Sequence, residues 1–389
     1  MKVKSIKQAK NIEGKRVVLR VDFNVPIKNG VVLNDYKIKR QLPTIEFLLE
    51  KKCKIILITH LGRPEGKFKK DLSIRPVIDI LEEELCRDIK IIKNISGFEG
   101  GSVASYMKNG DIVAFENIRF EPGEEKNSKN LAKNLAKLGD VYVNDAFGVS
   151  HRAHASLSAI QKYLPAFAGL LLEKEVLNLS KVFDAKKPFV LVIGGNKIKT
   201  KVPLIKAFYR KADKILVGGA LANNFFRIHD FEIGKSLTDK ESLKFAQKFK
   251  NKKIVLPVDV VISAVKGAKN PVAKDLININ KGDYIYDIGP KTIKLFSDII
   301  KKANTIIWNG PMGLFEENGF HHGTMAMANV IAGRSRGKAF GVVGGGETIE
   351  ALQKTKMIDA VDWASTGGGA SLAFLGKKKM PGLRKIVTR

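Results

Sequence analysis

The sequence predicts an α/β protein in two parts, each built on a parallel sheet. Three observations carry that reading. Short apolar runs alternate with amphipathic segments along the chain, a spacing that calls for parallel strands joined by helical crossovers. The runs of the first half end in charged and polar residues, whereas those of the second half end in glycines. At 389 residues the chain is long enough for about two domains.

Composition narrows the class. An apolar content of 44% with 8% aromatic residues excludes a disordered chain. The two cysteines, Cys53 and Cys86, have no C-x-x-C spacing and no paired histidines, which gives neither a disulfide framework nor a zinc site. The segment Met1–Lys7 lacks the apolar core of a secretory signal, and no run approaches the ~18 apolar residues that span a bilayer. A cytoplasmic protein without membrane attachment is expected. The formal net charge of +29 is the unusual number. Nucleic-acid phosphates could exploit it, but the lysines are spread along the chain without a helix-turn-helix, zinc-finger or RNP pattern. A lysine-rich solvated surface is the preferred reading, with no specific nucleic-acid partner. Any such charge that also lines a cleft would steer polyanionic metabolites into it.

In the first half, Lys15–Val21 reads as a buried strand because its apolar run is too short for a helix. It ends in Asp22-Phe-Asn-Val-Pro26. The helical pattern Leu42–Lys52 leads to a strand at Lys54–Thr59 that ends in His60-Leu-Gly-Arg-Pro64. Strands follow at Ile89–Ile92, at Asp111–Phe115 before Glu116-Asn-Ile-Arg-Phe120, and at Asp140–Val143 before Asn144-Asp-Ala-Phe-Gly148, with His151 and Arg152 just beyond. Helical patterns at Ile74–Leu85 and Ser128–Leu138 lie between them. Ligands of open α/β sheets sit outside the carboxyl ends of the strands. Asp22, Asn24, His60, Arg63, Arg119 and Arg152 cluster at those ends, a basic basket suited to a small carboxylate or phosphate.

The amphipathic Ala168–Phe183 reads as a helix linking the two parts. Beyond it, Pro188–Ile193 ends in Gly194-Gly-Asn-Lys-Ile-Lys-Thr-Lys201, Lys214–Val217 in Gly218-Gly-Ala220, and Ala303–Trp308 in Asn309-Gly-Pro-Met-Gly313. Lys253–Leu256 runs into Pro257, and Lys338–Val343 ends in Gly344-Gly-Gly-Glu-Thr348. Last comes Ser365-Thr-Gly-Gly-Gly-Ala-Ser-Leu372, a glycine run opening an apolar helix. Glycine admits close approach by a base or polyphosphate, and a helix start offers unpaired N–H groups to an anion. The recurrence points to a nucleotide site, although the G-x-x-x-x-G-K-[ST] loop, the G-x-G-x-x-G turn and the protein-kinase signatures are all absent. Glu347, beside a glycine loop, could attract Mg²⁺ directly or through water.

Taken together, Arg20-Val-Asp-Phe-Asn-Val-Pro26, His60-Leu-Gly-Arg-Pro64, Glu116-Asn-Ile-Arg-Phe120, Val143-Asn-Asp-Ala-Phe-Gly148 and His151-Arg-Ala-His154 resemble the phosphoglycerate kinase family. Trp308-Asn-Gly-Pro311, Gly344-Gly-Gly-Glu-Thr348 and Ser365–Leu372 extend the resemblance over essentially the whole chain. It implies two Rossmann-like domains joined by a hinge helix around a central cleft, usually as a monomer. It also implies reversible phosphoryl transfer from 1,3-bisphosphoglycerate to Mg-ADP, giving 3-phosphoglycerate and ATP in glycolysis and gluconeogenesis. The domains are expected at 1–168 and 169–372, with the linking helix at 169–183 and a tail, 373–389, returning to the first domain.

Carried over by motif, the resemblance places Asp22, Phe23, Asn24, Lys37, His60, Leu61, Gly62, Arg63, Arg119 and Arg152 on 3-phosphoglycerate. Gly195, Gly218 and Gly219 would border adenine, and Asn309 and Glu316 the ribose or neighbouring phosphates. Lys197, Lys201, Gly345, Gly346 and Thr348 would meet the nucleotide phosphates. Glu347 would serve Mg²⁺, and Lys37, Lys197, Gly346, Gly367, Gly368 and Gly369 the group in flight. Three positions depart from the pattern. The family normally has an arginine at Lys37, an aspartate at Glu347 and often a glycine at Ala220. Lysine keeps the charge of arginine but not its planar fork.

Overall fold

A computed structural model of the chain describes residues 1–93, 104–196, 198–249, 252–267 and 269–388. It divides into two compact units, Met1–Leu177 with Lys379–Arg389, and Asn178–Lys378.

The first unit is built on six parallel strands: β1 (Arg16–Arg20), β2 (Lys54–Ile58), β3 (Lys90–Ile92), β4 (Ile112–Phe115), β5 (Val141–Asn144) and β6 (Ala166–Ala168). Their order is β3-β4-β2-β1-β5-β6. Strands covered on both faces need apolar residues at every position, and Val17, Val18 and Leu19 in β1 are fully buried. The helix Arg75–Leu85 turns Val77, Ile78 and Leu81 into the core at helical spacing and stops at Cys86, which is left-handed at φ 50°. The helix Lys129–Lys137 starts where the Ser128 hydroxyl accepts from the N–H of Leu131, and it buries Leu131, Ala132, Leu135 and Ala136.

The sequence pattern places the next helix from Ala168. Instead Ala166–Ala168 pairs with β5, and the helix runs over Leu170–Lys181. Its start is fixed from two directions. The Leu170 N–H donates to Thr44 Oγ1 at 2.9 Å, and the Leu172 N–H to Asp145 Oδ1 at 2.9 Å. The C-terminal segment belongs to this unit. Val387 and Thr388 pair antiparallel with Lys2 and Val3, and the Gly382 carbonyl accepts from Asn144 Nδ2 at 2.9 Å.

The second unit carries β7 (Phe189–Ile193), β8 (Lys214–Val217), β9 (Ile254–Val255), β10 (Thr305–Asn309), β11 (Phe340–Gly344) and β12 (Trp363–Ser365), all parallel. The order β9-β8-β7-β10-β11-β12 is that of a Rossmann sheet, reversing direction between β7 and β10. Helices cover the sheet, including Ala220–Ile228, Pro290–Ile300, His322–Ser335 and Gly346–Lys354. Trp308, Phe296, Met327 and Ile331 fill its core without exposure. A separate antiparallel sheet, in the order 272–275, 259–263, 284–288, extends this unit.

Both six-stranded parallel sheets agree with the α/β reading of the sequence. The strands β6 and β12 and the antiparallel sheet go beyond it. Three residues are too few to display a period, and Tyr284–Ile288 has half-buried side chains at its first three positions and Asp287 at the fourth instead of an apolar run.

Candidate functional site

In the first unit, the predicted anion-binding residues follow the carboxyl ends of four adjacent strands, β4, β2, β1 and β5. Asp22, two residues beyond β1, is buried. Lys37 Nζ lies 3.2 Å from its Oδ2 and 3.5 Å from the Asn24 carbonyl oxygen. The Asn24 side-chain oxygen accepts from the Gly62 N–H at 2.9 Å, tying the β1 loop to the β2 loop.

The charges of this basket are interlocked. Burial raises the Asp22 pKa, but Lys37, His60 and Arg20 outweigh it and bring the carboxyl to about 2. His60, buried with Nδ1 3.4 Å from Arg20 NH2, is held well below its ordinary pKa by burial. It is therefore a neutral hydrogen-bonding ring near pH 7. Arg119 is pushed down to about 10 by burial and by the neighbouring Arg152, and so keeps its charge. Only 3% of Arg119 is exposed, and its NH1 donates to the Gly62 carbonyl at 2.5 Å. Among the described residues its Nε and NH2 make no hydrogen bond, although Glu125 lies 3.3 Å from Nε. A buried guanidinium with unmatched donors is prepared for an anion. Arg152 is half-buried and Arg63 exposed.

Two predicted residues face inward. Phe23 and Leu61 belong to the buried interior. The Phe23 N–H donates to Thr59 Oγ1 at 3.1 Å, and the Leu61 N–H and carbonyl both bond to the Asn117 amide. They shape the loops that carry Asp22, Asn24, His60 and Arg63.

Sequence reasoning missed Arg20, Gln41 and Asn117. Arg20 sits within an otherwise apolar strand run, a detectable signal of a buried charge, and its Nε donates to Ser156 Oγ at 2.9 Å. Gln41 and Asn117 bear no such mark.

In the second unit, a cavity of ≈ 430 Å³ opens at the sheet's reversal point, where Ile193 pairs with Asn309. Phe226, Val260, Ile288, Met312 and Leu314 supply apolar walls, and Glu316 and Glu347 supply carboxylates. Of the predicted nucleotide residues, Gly195, Gly219, Glu316 and Glu347 line this one cavity, as does Ala220. Gly218 and Asn309 stand behind its wall. A Cβ on Gly218 would meet Met312 Sδ at 2.6 Å, and Asn309 Nδ2 donates to the Gly344 carbonyl at 2.7 Å. Thr348 supports the same loop. Its hydroxyl accepts from the Gly310 N–H and donates to the Gly344 carbonyl, both at 3.0 Å. Lys201 is buried, and a Cβ on Gly195 would lie 3.1 Å from its Nζ. Lys197 lies outside the described residues.

The glycines divide by what the protein itself asks of them. Gly219 has φ +61°, and a Cβ there would approach the Gly195 nitrogen to 2.6 Å, so loop packing alone requires it. Gly346 and Gly369 differ. Neither has a positive φ, and a Cβ on either would meet nothing within 4 Å. Each is the first residue of a helix, Gly346–Lys354 and Gly369–Leu375. Gly345 and Gly368 precede them with φ of +104° and +49°. The Gly367 N–H donates to Ser365 Oγ at 3.3 Å, and Ser365 Oγ lies 2.6 Å from Ser371 Oγ. Open space over the first turn of the longer helix suits a phosphate.

Among the described residues, no group of three or more His, Cys, Asp or Glu side chains could hold a metal ion, and no helix is long and apolar enough to cross a membrane. Residues 6–378 match the family Phosphoglycerate kinase. The chain is 43% identical to a phosphoglycerate kinase of Dictyoglomus turgidum, over 96% of both chains. It is 41% identical to that of Borrelia garinii subsp. bavariensis, over 99% of this chain and 100% of the relative. Among solved structures, the phosphoglycerate kinase from Coxiella burnetii superposes with a TM-score of 0.85 at 38% identity, covering 99% of this chain and 98% of that one. The enzyme from Pyrococcus horikoshii OT3 gives 0.88 at 33% identity, with 98% of each chain covered.

Proposed function

The chain belongs to the phosphoglycerate kinase family, and from that membership we propose how its residues divide the work of the reaction. The reaction is reversible phosphoryl transfer between 1,3-bisphosphoglycerate with ADP and 3-phosphoglycerate with ATP, a kinase step with a carboxyl group as acceptor.

The basket of the first unit binds 3-phosphoglycerate. Arg119, whose buried NH2 makes no hydrogen bond among the described residues while Glu125 pairs with its Nε, is the observation that carries this assignment. Arg63 and Arg152 add charge on either side, while Asp22 and Asn24 offer oxygens to the substrate hydroxyl. A substrate carboxylate with a pKa of about 4 is already a nucleophile at neutral pH. No general base is needed, in keeping with His60 as a neutral binder.

The cavity of the second unit takes the base between its apolar walls, with Glu316 toward the ribose. The first turn at Gly346 and the ammonium groups of Lys197 and Lys201 meet the phosphates, and Lys37, Gly367, Gly368 and Gly369 meet the group in flight. Preorganised charge and N–H groups act on the equatorial oxygens of the moving phosphoryl group. Mg²⁺ suits this arrangement: it keeps most of its waters and needs only one or two carboxylates beside substrate phosphates. Glu347 is exposed at the cavity, and no described residue engages its carboxylate. The ion would neutralise phosphate charge there. A cytoplasmic monomer with small-molecule partners and no specific nucleic acid completes the proposal.

The test is a coupled assay with ATP, Mg²⁺ and 3-phosphoglycerate. Turnover is expected, with Arg119→Gln raising the KM for 3-phosphoglycerate. Binding of both ligands without turnover would overturn the assignment.

A further inference from the structure

Gln41 joins two residues of the anion basket through one buried side chain. Its Oε1 accepts from the Asp22 N–H at 2.8 Å. Its Nε2 donates to the Asp22 carbonyl at 3.0 Å and to the Lys37 carbonyl at 3.0 Å. Gln41 is 1% exposed and stands at the start of the helix Leu42–Glu50, two residues after the single helical turn Tyr36–Lys39.

The setting explains why a glutamine is used. The ladder between β1 and β2 carries on to the Val21 N–H, which donates to the Ile58 carbonyl at 3.0 Å. Asp22 is the next residue and has no strand beside it to take its backbone groups. The Gln41 amide takes both, as a neighbouring strand would. The second Nε2 hydrogen then satisfies the Lys37 carbonyl, near the end of a one-turn helix whose terminal carbonyls lack intrahelical partners. One amide thus fixes the backbones of the two residues whose side chains form the 3.2 Å ion pair.

We infer that Gln41 is a positioning residue for phosphoryl transfer, holding the Lys37 ammonium in register with Asp22. This rests on the assignment of Lys37 to the moving phosphoryl group. A lysine has four rotatable side-chain bonds and no fork to define its direction. Its placement therefore depends on how firmly its backbone and its carboxylate partner are held. Gln41 supplies both constraints.

The experiment is a double-mutant cycle on the full-length enzyme. Gln41→Met, with nearly the same volume, removes all three hydrogen bonds. It is expected to lower kcat by roughly tenfold while leaving the KM for ATP unchanged. In a Lys37→Ala background the same substitution should change kcat by less than about twofold, because there is no ammonium left to place. Gln41→Glu keeps the acceptor for the Asp22 N–H but loses both donors. It is expected to match Gln41→Met, and it serves should the methionine variant fail to fold. Equal losses in both backgrounds, or no loss in either, would overturn the inference alone. If Lys37→Ala leaves kcat intact, the assignment of Lys37 falls and this inference with it.

Discussion

Lys37 Nζ and Asp22 Oδ2 lie 3.2 Å apart, an ion pair between a half-buried ammonium and a buried carboxylate. Asp22 stays ionised although buried because Lys37 leads the groups that offset its desolvation. Its folded pKa of about 2 lies below the ordinary carboxylate value. The ionised carboxylate therefore contributes stability that is complete above about pH 4 and is lost as pH falls through about 2. Lys37→Met should raise the Asp22 pKa and move acid unfolding, followed by circular dichroism, to higher pH. An unchanged acid midpoint would contradict the pairing.

Gly346→Ala and Gly369→Ala separate folding from function. With ordinary φ and open space at both positions, each variant should fold with stability unchanged or raised by up to about 1 kcal/mol. Turnover should nevertheless fall at least tenfold, roughly the cost of displacing one oxyanion donor or less. Gly219→Ala is the control. Its φ and the 2.6 Å approach to the Gly195 nitrogen predict a lower melting temperature. Thermal melts beside kcat measurements decide all three.

Arg119→Gln removes a buried cation that lies beside Arg152. Losing charge-assisted hydrogen bonds to a substrate oxyanion should raise the KM for 3-phosphoglycerate by about 10–100-fold. The KM for ATP should stay within about twofold, because the nucleotide is assigned to residues of the other unit. Parallel titrations of the two substrates check this, and an equal rise in both would reject a separate anion basket.

Glu347→Gln tests the metal assignment. The substitution keeps the side-chain length and removes the charge at the cavity. The Mg²⁺ concentration giving half-maximal rate should rise severalfold, with 3-phosphoglycerate binding unaffected. A Mg²⁺ dependence identical to the parent would assign the ion to the nucleotide phosphates alone.

The strand ends were legible because strand and site coincide there. An apolar run that stops in Asp22, His60, Glu116 or Asn309 announces both the element and the edge that carries the candidate site. Glycines were legible as a group but not individually. Gly218, Gly219 and Gly346 look alike in sequence, and only the neighbouring atoms separate those required by loop packing from those facing open space. Gln41 and Asn117 could not be read at all. A polar residue at a helix boundary resembles any solvated one until three hydrogen bonds show that it is enclosed. The short strands β6 and β12 depend on pairing with distant neighbours, which no local pattern records.

The pairing of Lys2–Val3 with Val387–Thr388 bears on biosynthesis. Residues 379–388 leave the ribosome after all of 178–378, so the unit begun first is the one completed last. Until then the loop beyond β5 lacks the Gly382 backbone, which donates to the Ser150 carbonyl at 2.9 Å and accepts from Asn144. Arg152 lies two residues past that contact. A nascent chain can thus close its second unit while its first is still unfinished, and a chain cut short before Lys379 lacks the backbone contact two residues before Arg152 whatever the state of the rest.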